Sequence, residues 1–307
     1  MRSVTRHFSA PAFSPLLCIV AITLSVGSAS ALTITPVVDP ASAAAALLSA
    51  AQAPASGITF MPGATYQGNT ATPQSATYSG FDLAPSSGST PTLVLPNGAF
   101  LTSGHANIPM TNTSDDFSSA LAQPGSGPNA LLSALSGTDT NDSNVLTATF
   151  TVAPGSNAIT ARFVFGTDEF PTQAMTDIFG FFVDGVNYAR FPSGELISNT
   201  VGNPTNFILN PVAGGLYDIE YNGLTQVFQV TGLLDPTLLV HTLSFGVADT
   251  NDDIFDSGVF VADLRASIAS DGGIGQPGQP GNGVPEPATL ALLGLGLAGL
   301  GLRRKIH

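Results

Sequence analysis

The sequence predicts an all-β body, a β-sandwich or jelly-roll-like single domain with one or two short helices. Three observations point there. Apolar residues alternate with threonine at period two, as in Leu146, Ala148, Phe150 and Val152 against Thr147, Thr149 and Thr151, the signature of a half-buried strand. Turn-forming residues recur at short intervals, with 33 Gly and 23 Pro in 307 residues, which suits many short strands. Two aromatic-rich stretches, residues 163–188 and 241–264, share one layout of strand, acidic loop and strand.

The chain opens with Arg2 and Arg6, an apolar run over 16–26, and Ala29-Ser30-Ala31. This predicts a secretory signal helix over 1–31, cut by signal peptidase at the small residues Ala29 and Ala31. The run is short for a span that stays in the membrane. Asp39-Pro40 ahead of ASAAAALLSAAQ predicts a short amphipathic helix to about Ala53, with Asp as cap and Pro at its first position. Residues 32–57 form this N-terminal helical segment.

The β body is expected over 58–269. Its early strand candidates are 58–60, 65–66, 77–83 and 92–95. Ser103 near His105 has the residue types of a nucleophile and base, but neighbours in sequence rarely make that geometry and no third member is identifiable, so 100–105 reads as a strand end. A short helix is expected over 129–135. Residues 139–144, DTNDSN, resemble the opening of an EF-hand loop, yet Asn144 and Phe150 stand where Gly and Glu are needed. They read as an Asp/Asn turn, unless distant residues complete a site. Pro154-Gly155-Ser156-Asn157 then turns the chain toward Phe163 and Phe165, and Asp184-Gly185 predicts a tight hairpin with a returning strand over 186–189. Further strands are expected near 216–221, 226–230, 237–248 and 258–268. Residues 270–283 are a Gly/Pro-rich linker.

The residues of the first aromatic stretch resemble the choice-of-anchor L domain, a family of secreted or surface proteins. The likeness rests on Phe165-Gly166-Thr167-Asp168-Glu169-Phe170-Pro171, then Asp177-Ile178-Phe179-Gly180-Phe181-Phe182, then Asn187 and Ala189, with Asp168 where the family often has Glu. Ala248-Asp249 and Asp256-Ser257-Gly258-Val259-Phe260 resemble its closing strand pair. The family supplies no catalytic residues to carry over.

At the other end, Val284-Pro285-Glu286-Pro287 precedes an apolar segment over 288–302 and then Arg303, Arg304 and Lys305. This resembles the PEP-CTERM sorting signal of Gram-negative bacteria. The resemblance implies a transient stay in the inner membrane and cleavage by an exosortase near Pro285, Glu286 and Pro287. It also implies delivery to the cell surface or the extracellular space. The physics agrees: a basic cluster holds the cytoplasmic end of a membrane helix. With 15 residues, the segment is shorter than the roughly 20 of a straight span, which suits temporary retention.

Composition narrows the function. All 21 acidic residues lie between Asp39 and Glu286, where Arg162, Arg190 and Arg265 are the only Lys or Arg, a side-chain charge of −18. Such a surface repels nucleic acid, which needs a basic footprint. Cys18, the single cysteine, lies in the signal, so the exported body has no internal disulfide and depends on its core.

The acidic loops are the candidate site. If the two aromatic strand pairs are neighbours, Asp168, Glu169, Asp177, Asp249, Asp252 and Asp256 converge, and like charges about 5 Å apart repel by roughly 3 kcal/mol per pair at an effective dielectric near 20. A calcium ion, which takes six to eight oxygen ligands, would relieve this. The alternative is that the acids are separately solvated, or that Asp177 and Asp256 cap turns. Zinc is disfavoured, since only His105 and His241 lie in the body. The expected function is non-enzymatic, an adhesive or exopolysaccharide-associated surface or matrix protein. The alternative is a secreted glycan hydrolase using Asp168, Glu169 or Asp256 as paired carboxylates.

Overall fold

A computed structural model describes residues 32–275 apart from 89, 109–110, 116–125, 172–176 and 199–203. The expected signal helix with Ala29 and Ala31, the membrane segment 288–302, and Pro285, Glu286, Pro287, Arg303, Arg304 and Lys305 lie outside the described residues. No described helix is long and apolar enough to cross a membrane.

The described chain starts with β1 (Thr33–Pro36) and helix α1 (Ala43–Ala51). Short strands follow: β2 (Ile58–Phe60), β3 (Thr65–Gln67), β4 (Ser75–Ser79), β5 (Asp82–Leu83), β6 (Leu93–Val94) and β7 (Gly98–Thr102). After helix α2 (Ala130–Ser136) come β8 (Thr140–Val152), β9 (Ala158–Thr167) and β10 (Ile178–Val183). The minor strands β11 (Val186–Asn187), β12 (Ile197–Ser198), β13 (Phe207–Leu209) and β14 (Gly223–Thr225) lead to β15 (Phe228–Leu233). Then β16 (His241–Thr250), β17 (Ser257–Ser267) and β18 (Gly273–Ile274) close the body.

Two antiparallel sheets dominate. The larger runs β1-β4-β7-β17-β9-β14-β13, with β15 also on β9 and β18 on β15. The smaller runs β11-β10-β16-β8-β2, with β12 on β10 and β3 on β8. Alternate residues from both meet in one core: Leu101, Phe163, Phe165, Val259 and Val261 from the first, Leu146, Phe150, Phe179, Phe181 and Phe245 from the second. Each fully buried Phe contributes roughly 1.5–3 kcal/mol through the water it sheds. Helix α1 closes one side of this core with Leu47, Leu48 and Ala51, whose spacing puts them on one helical face.

Both outer faces are partly covered as well. Tyr78, Phe81, Phe100, Phe260, Tyr217 and Tyr221 form a second apolar layer on the larger sheet, and Leu132 of α2 packs on Val145, Ile178 and Phe182 of the smaller. That is why β9 and β10 are buried along nearly their whole length, and β10 reads as an unbroken apolar run while β8 alternates.

Local signals acted largely as expected. Asn129 caps α2 by accepting from the N–H groups of Leu131 and Leu132 at 3.0 and 3.2 Å. Asp184 and Gly185 both take positive φ, 50° and 81°, as a tight hairpin between β10 and β11 requires. Three expectations differ. Asp39 does not cap α1; it accepts from Ala41 N and Ser42 Oγ in the turn before the helix. Residues 140–144 lie in β8 rather than in a turn. The ladder to β16 shifts register there, and Asp142 sits at φ 44° in the resulting bulge. Residues 216–221 form no strand; Asn210 holds this segment by accepting from Leu216 N and Tyr217 N, both at 2.8 Å.

Candidate functional site: the acidic end of the two sheets

In neither aromatic stretch do the two strands that flank the acidic loop pair with each other. In each, the first strand lies in one sheet and the second in the other, so the acidic loops are arches that cross between sheets. β9 pairs with β17, and Ser257 stands opposite Thr167, so one step further Asp256 opposes Asp168. β10 pairs with β16, and Ala248 stands opposite Ile178, so one step further Asp249 opposes Asp177. Register alone therefore sets one acid pair at the end of each sheet, at the same end of the body.

All six acids of the expected set reach this end. Glu169 and Asp177 are 0 % exposed, Asp249, Asp256 and Asp168 nearly so, and Asp252 is half-buried on the second arch. The backbone ties the arches together where Asp168 N donates to Asp256 O at 3.1 Å, and within the first arch Asp177 N donates to Glu169 Oε2 at 3.3 Å. The second arch carries two residues in the left-handed region, Asn251 at φ 73° and Phe255 at φ 65°. That conformation is uncommon for Asn and strained for Phe, and such strain persists only where the surroundings enforce it. Gly104 of the strand end after β7 lies so close that a Cβ there would overlap the Asp256 carboxylate.

Several buried carboxylate oxygens accept no hydrogen bond: Asp168 Oδ2, Glu169 Oε1, both oxygens of Asp177, and Oδ1 of Asp249 and of Asp252. Burial pushes Asp177 well above the usual carboxylate range, and the neighbouring Glu169 and Asp252 raise it further; the Ser257 and Asp249 side chains pull the other way, though neither meets hydrogen-bond geometry with it. Asp249 is driven up by burial and by Asp177, Asp256 and Asp142, with the Ser103 hydroxyl in opposition. Burial raises Asp168 despite the Asn222 N–H, and Asp256, Glu220 and Asp177 add to the rise. Glu169 is pushed up to about 8, chiefly by burial. These are the expected responses of carboxylates taken out of water beside like charges.

Two further acids of the aromatic stretches lie elsewhere. Asp184, at the opposite end of β10, bonds His241 Nδ1 at 2.8 Å and accepts from Thr242 N at 2.8 Å. Asp263 pairs with Arg265 on a bulge of β17. Ser103 is engaged structurally, accepting from Ser257 N at 2.9 Å. As the side chains stand, no three Asp, Glu, His or Cys among the described residues are placed to hold a metal ion.

Sequence reasoning left one neighbour open, within 139–144, and missed two others. Asp142, in the β8 bulge, is buried and acts on Asp249. Asn222 donates its N–H to Asp168 Oδ1 at 3.1 Å. Glu220, 2 % exposed, anchors the 111–114 loop. Its carboxylate accepts from Thr111 Oγ1 at 2.7 Å, Thr113 Oγ1 at 2.6 Å, Thr113 N at 3.0 Å and Ser114 N at 2.9 Å. The available signal was the acid-aromatic alternation of Tyr217-Asp218-Ile219-Glu220-Tyr221, which reads equally well as a plain strand.

The choice-of-anchor L domain model matches residues 47–264, from within α1 to β17, and so includes both arches. The chain belongs to the choice-of-anchor L domain family. The PEP-CTERM protein-sorting motif matches residues 283–305, so this choice-of-anchor L protein is exported by a Gram-negative bacterium through its membrane and processed by an exosortase. No curated protein and no solved structure matches it.

Proposed function

We propose that this choice-of-anchor L protein is a non-enzymatic component of the cell surface or extracellular matrix. In this reading the body is a β-sandwich serving adhesion or exopolysaccharide association, and its acidic end takes calcium. The observation that carries the reading is the order of parts: a family domain at 47–264 followed by a sorting motif at 283–305, with a Gly/Pro-rich stretch between them whose first part is not free linker, since Gly273–Ile274 pair with β15 as β18. The rest of that stretch, as a flexible linker, lets a folded body stand clear of the membrane during processing.

The buried acids also bear on the hydrolase alternative. A carboxyl pushed up to about 8, as Glu169 is, has the protonation state of a general acid. Yet Glu169 and Asp177 are fully buried, and a general acid must reach its substrate. A hydrolase would lose turnover but keep its fold in Glu169→Gln.

The sorting part is tested with Glu286→Ala in the native host, followed by fractionation. The expected result is an unprocessed chain held in the membrane fraction while the wild type is released. Equal release and equal size of the two would refute it.

A further inference from the structure

We propose that the end of the body opposite the acidic arches is a lipid-contacting surface, which rests on the bilayer while the sorting tail is still uncut. The proposal rests on the membrane stage that the sorting motif implies and adds a contact made by the body itself. Three loop tips meet at this end. The hairpin between β10 and β11 brings Val186, the loop between β15 and β16 brings Leu238, Leu239 and Val240, and the segment after β17 brings Ile268. All five side chains are exposed, Leu239 to 91 % and Ile268 to 80 %.

Hydrogen bonds hold these tips as one surface. Asp235 N donates to Asp184 Oδ2 at 3.0 Å and Thr242 N to Asp184 Oδ1 at 2.8 Å, which pins the 235–242 loop to the hairpin. Asn157, in the turn between β8 and β9, joins that loop to the segment after β17. Its N–H donates to Ser267 O at 3.1 Å, its C=O accepts from Leu234 N at 3.0 Å, and its side chain exchanges two bonds with the Ala269 backbone, both at 2.9 Å. Single exposed apolar residues are ordinary, whereas several on one held surface mark an interaction site.

The chemistry of the surface selects lipid. Residues 236–240, Pro-Thr-Leu-Leu-Val, carry no charge. Asp235 turns back into its own loop, its carboxylate accepting from Thr237 N at 2.8 Å and Thr237 Oγ1 at 2.7 Å. His241 and Asp184 pair with each other, their side chains only 7 % and 6 % exposed. Asp271 stands at the rim, accepting from Ser270 Oγ at 2.9 Å. Uncharged tips offer little to an ionic partner but shed water on entering an apolar one.

Chain connectivity supplies the occupant. The described chain leaves the body after β18, where Gly275 N donates to Gln229 O at 2.8 Å. That point is four strand positions, about 13 Å, from the end of β15 at Leu233. Twelve residues, 276–287, separate it from the apolar segment 288–302, and twelve residues reach at most about 40 Å. A tether able to hold the body clear of the bilayer therefore also lets this end return to it. The acidic end is the poorer match, since carboxylates must be desolvated to enter an apolar phase.

The sequence contains no Trp, so one introduced Trp is the sole reporter of its kind. The full chain is reconstituted into phosphatidylcholine vesicles, flotation checks that the tail has inserted, and brominated phosphatidylcholine serves as quencher. Leu239→Trp and Ile268→Trp are each expected to shift emission to shorter wavelength and to lose intensity in the brominated vesicles. Leu209→Trp, exposed on β13 at the level of the acidic end, is expected to do neither. Adding Leu239→Asp to Ile268→Trp is expected to abolish both responses without changing Tm, because Leu239 is almost wholly exposed. Unquenched emission from both reporters in floated vesicles overturns the proposal and leaves the sorting motif's membrane stage standing. Failure to float overturns that stage and the proposal with it. A shift that bromolipid does not quench and that fades as the chain is diluted in the vesicles identifies a second copy as the occupant and overturns lipid. Equal quenching at Leu209→Trp overturns the choice of end.

Discussion

Replacing Glu220 by Gln isolates a single buried charge and its hydrogen bonds. The carboxylate accepts from two threonine hydroxyls at 2.6 and 2.7 Å and from two backbone N–H groups at 2.9 and 3.0 Å. An amide has one oxygen, so its NH2 end must face donors that it cannot accept from. Hydrogen bonds to a charged group are worth roughly 1.5–3 kcal/mol each, and losing one or two gives a cost of about 2–4 kcal/mol at neutral pH. For a body of this size that is about 4–16 °C in Tm. Burial by itself would raise the Glu220 pKa, but the bonds from Thr113, Thr111 and Ser114 outweigh it and hold it below the usual value. A depressed carboxyl pKa contributes stability that is fully present above the unfolded value, about 4.3, and is lost as pH falls through the folded value. The gap between wild type and Glu220→Gln, measured by urea unfolding, should therefore be largest near pH 7 and close as pH falls below about 4. Equal midpoints at pH 7, or a gap that stays constant down to pH 3, would refute the assignment.

Two packing predictions follow from the same structure. Gly104→Ala drives a methyl into the Asp256 carboxylate, at a place pinned by the Gly104 N–H donating to Thr102 Oγ1 at 3.1 Å; a loss of about 1–3 kcal/mol is expected from overpacking, and an unchanged urea midpoint would show that the arch yields freely. Phe260→Ala removes the ring that stacks on Phe100 at 4.3 Å and contacts Phe81 at 4.6 Å and Tyr78 at 5.3 Å. The expected cost is about 3–5 kcal/mol, read as a fall in Tm, and a loss under about 1 kcal/mol would mean that the outer layer repacks.

Much of the architecture was legible because its signals are local. The Thr-interleaved run of β8, the Asp184-Gly185 hairpin and the Asn129 cap each depend on residues within a few positions. Strand partnership is not local. Residues 163–188 look the same whether β9 and β10 form a hairpin or an arch between sheets, because both leave two apolar strands flanking a polar loop. The segment 216–221 alternates like a strand, but Asn210 captures its N–H groups before a ladder can.

By itself the sequence determined the all-β class, the short helices, the family resemblance and the sorting motif, all of which are written in contiguous residues. It also determined that the body is acidic, with three arginines against its carboxylates. Only the tertiary structure decided that Asp168 meets Asp256 in one sheet while Asp177 meets Asp249 in the other. It alone sealed Glu169 and Asp177 from water and brought in Asp142, Asn222 and Glu220. The physical reason is that side-chain periodicity specifies which face of a strand is buried, whereas register and sheet assignment arise from the packing of many strands around one core. Where carboxylates end up unpartnered therefore depends on contacts between residues up to about a hundred positions apart.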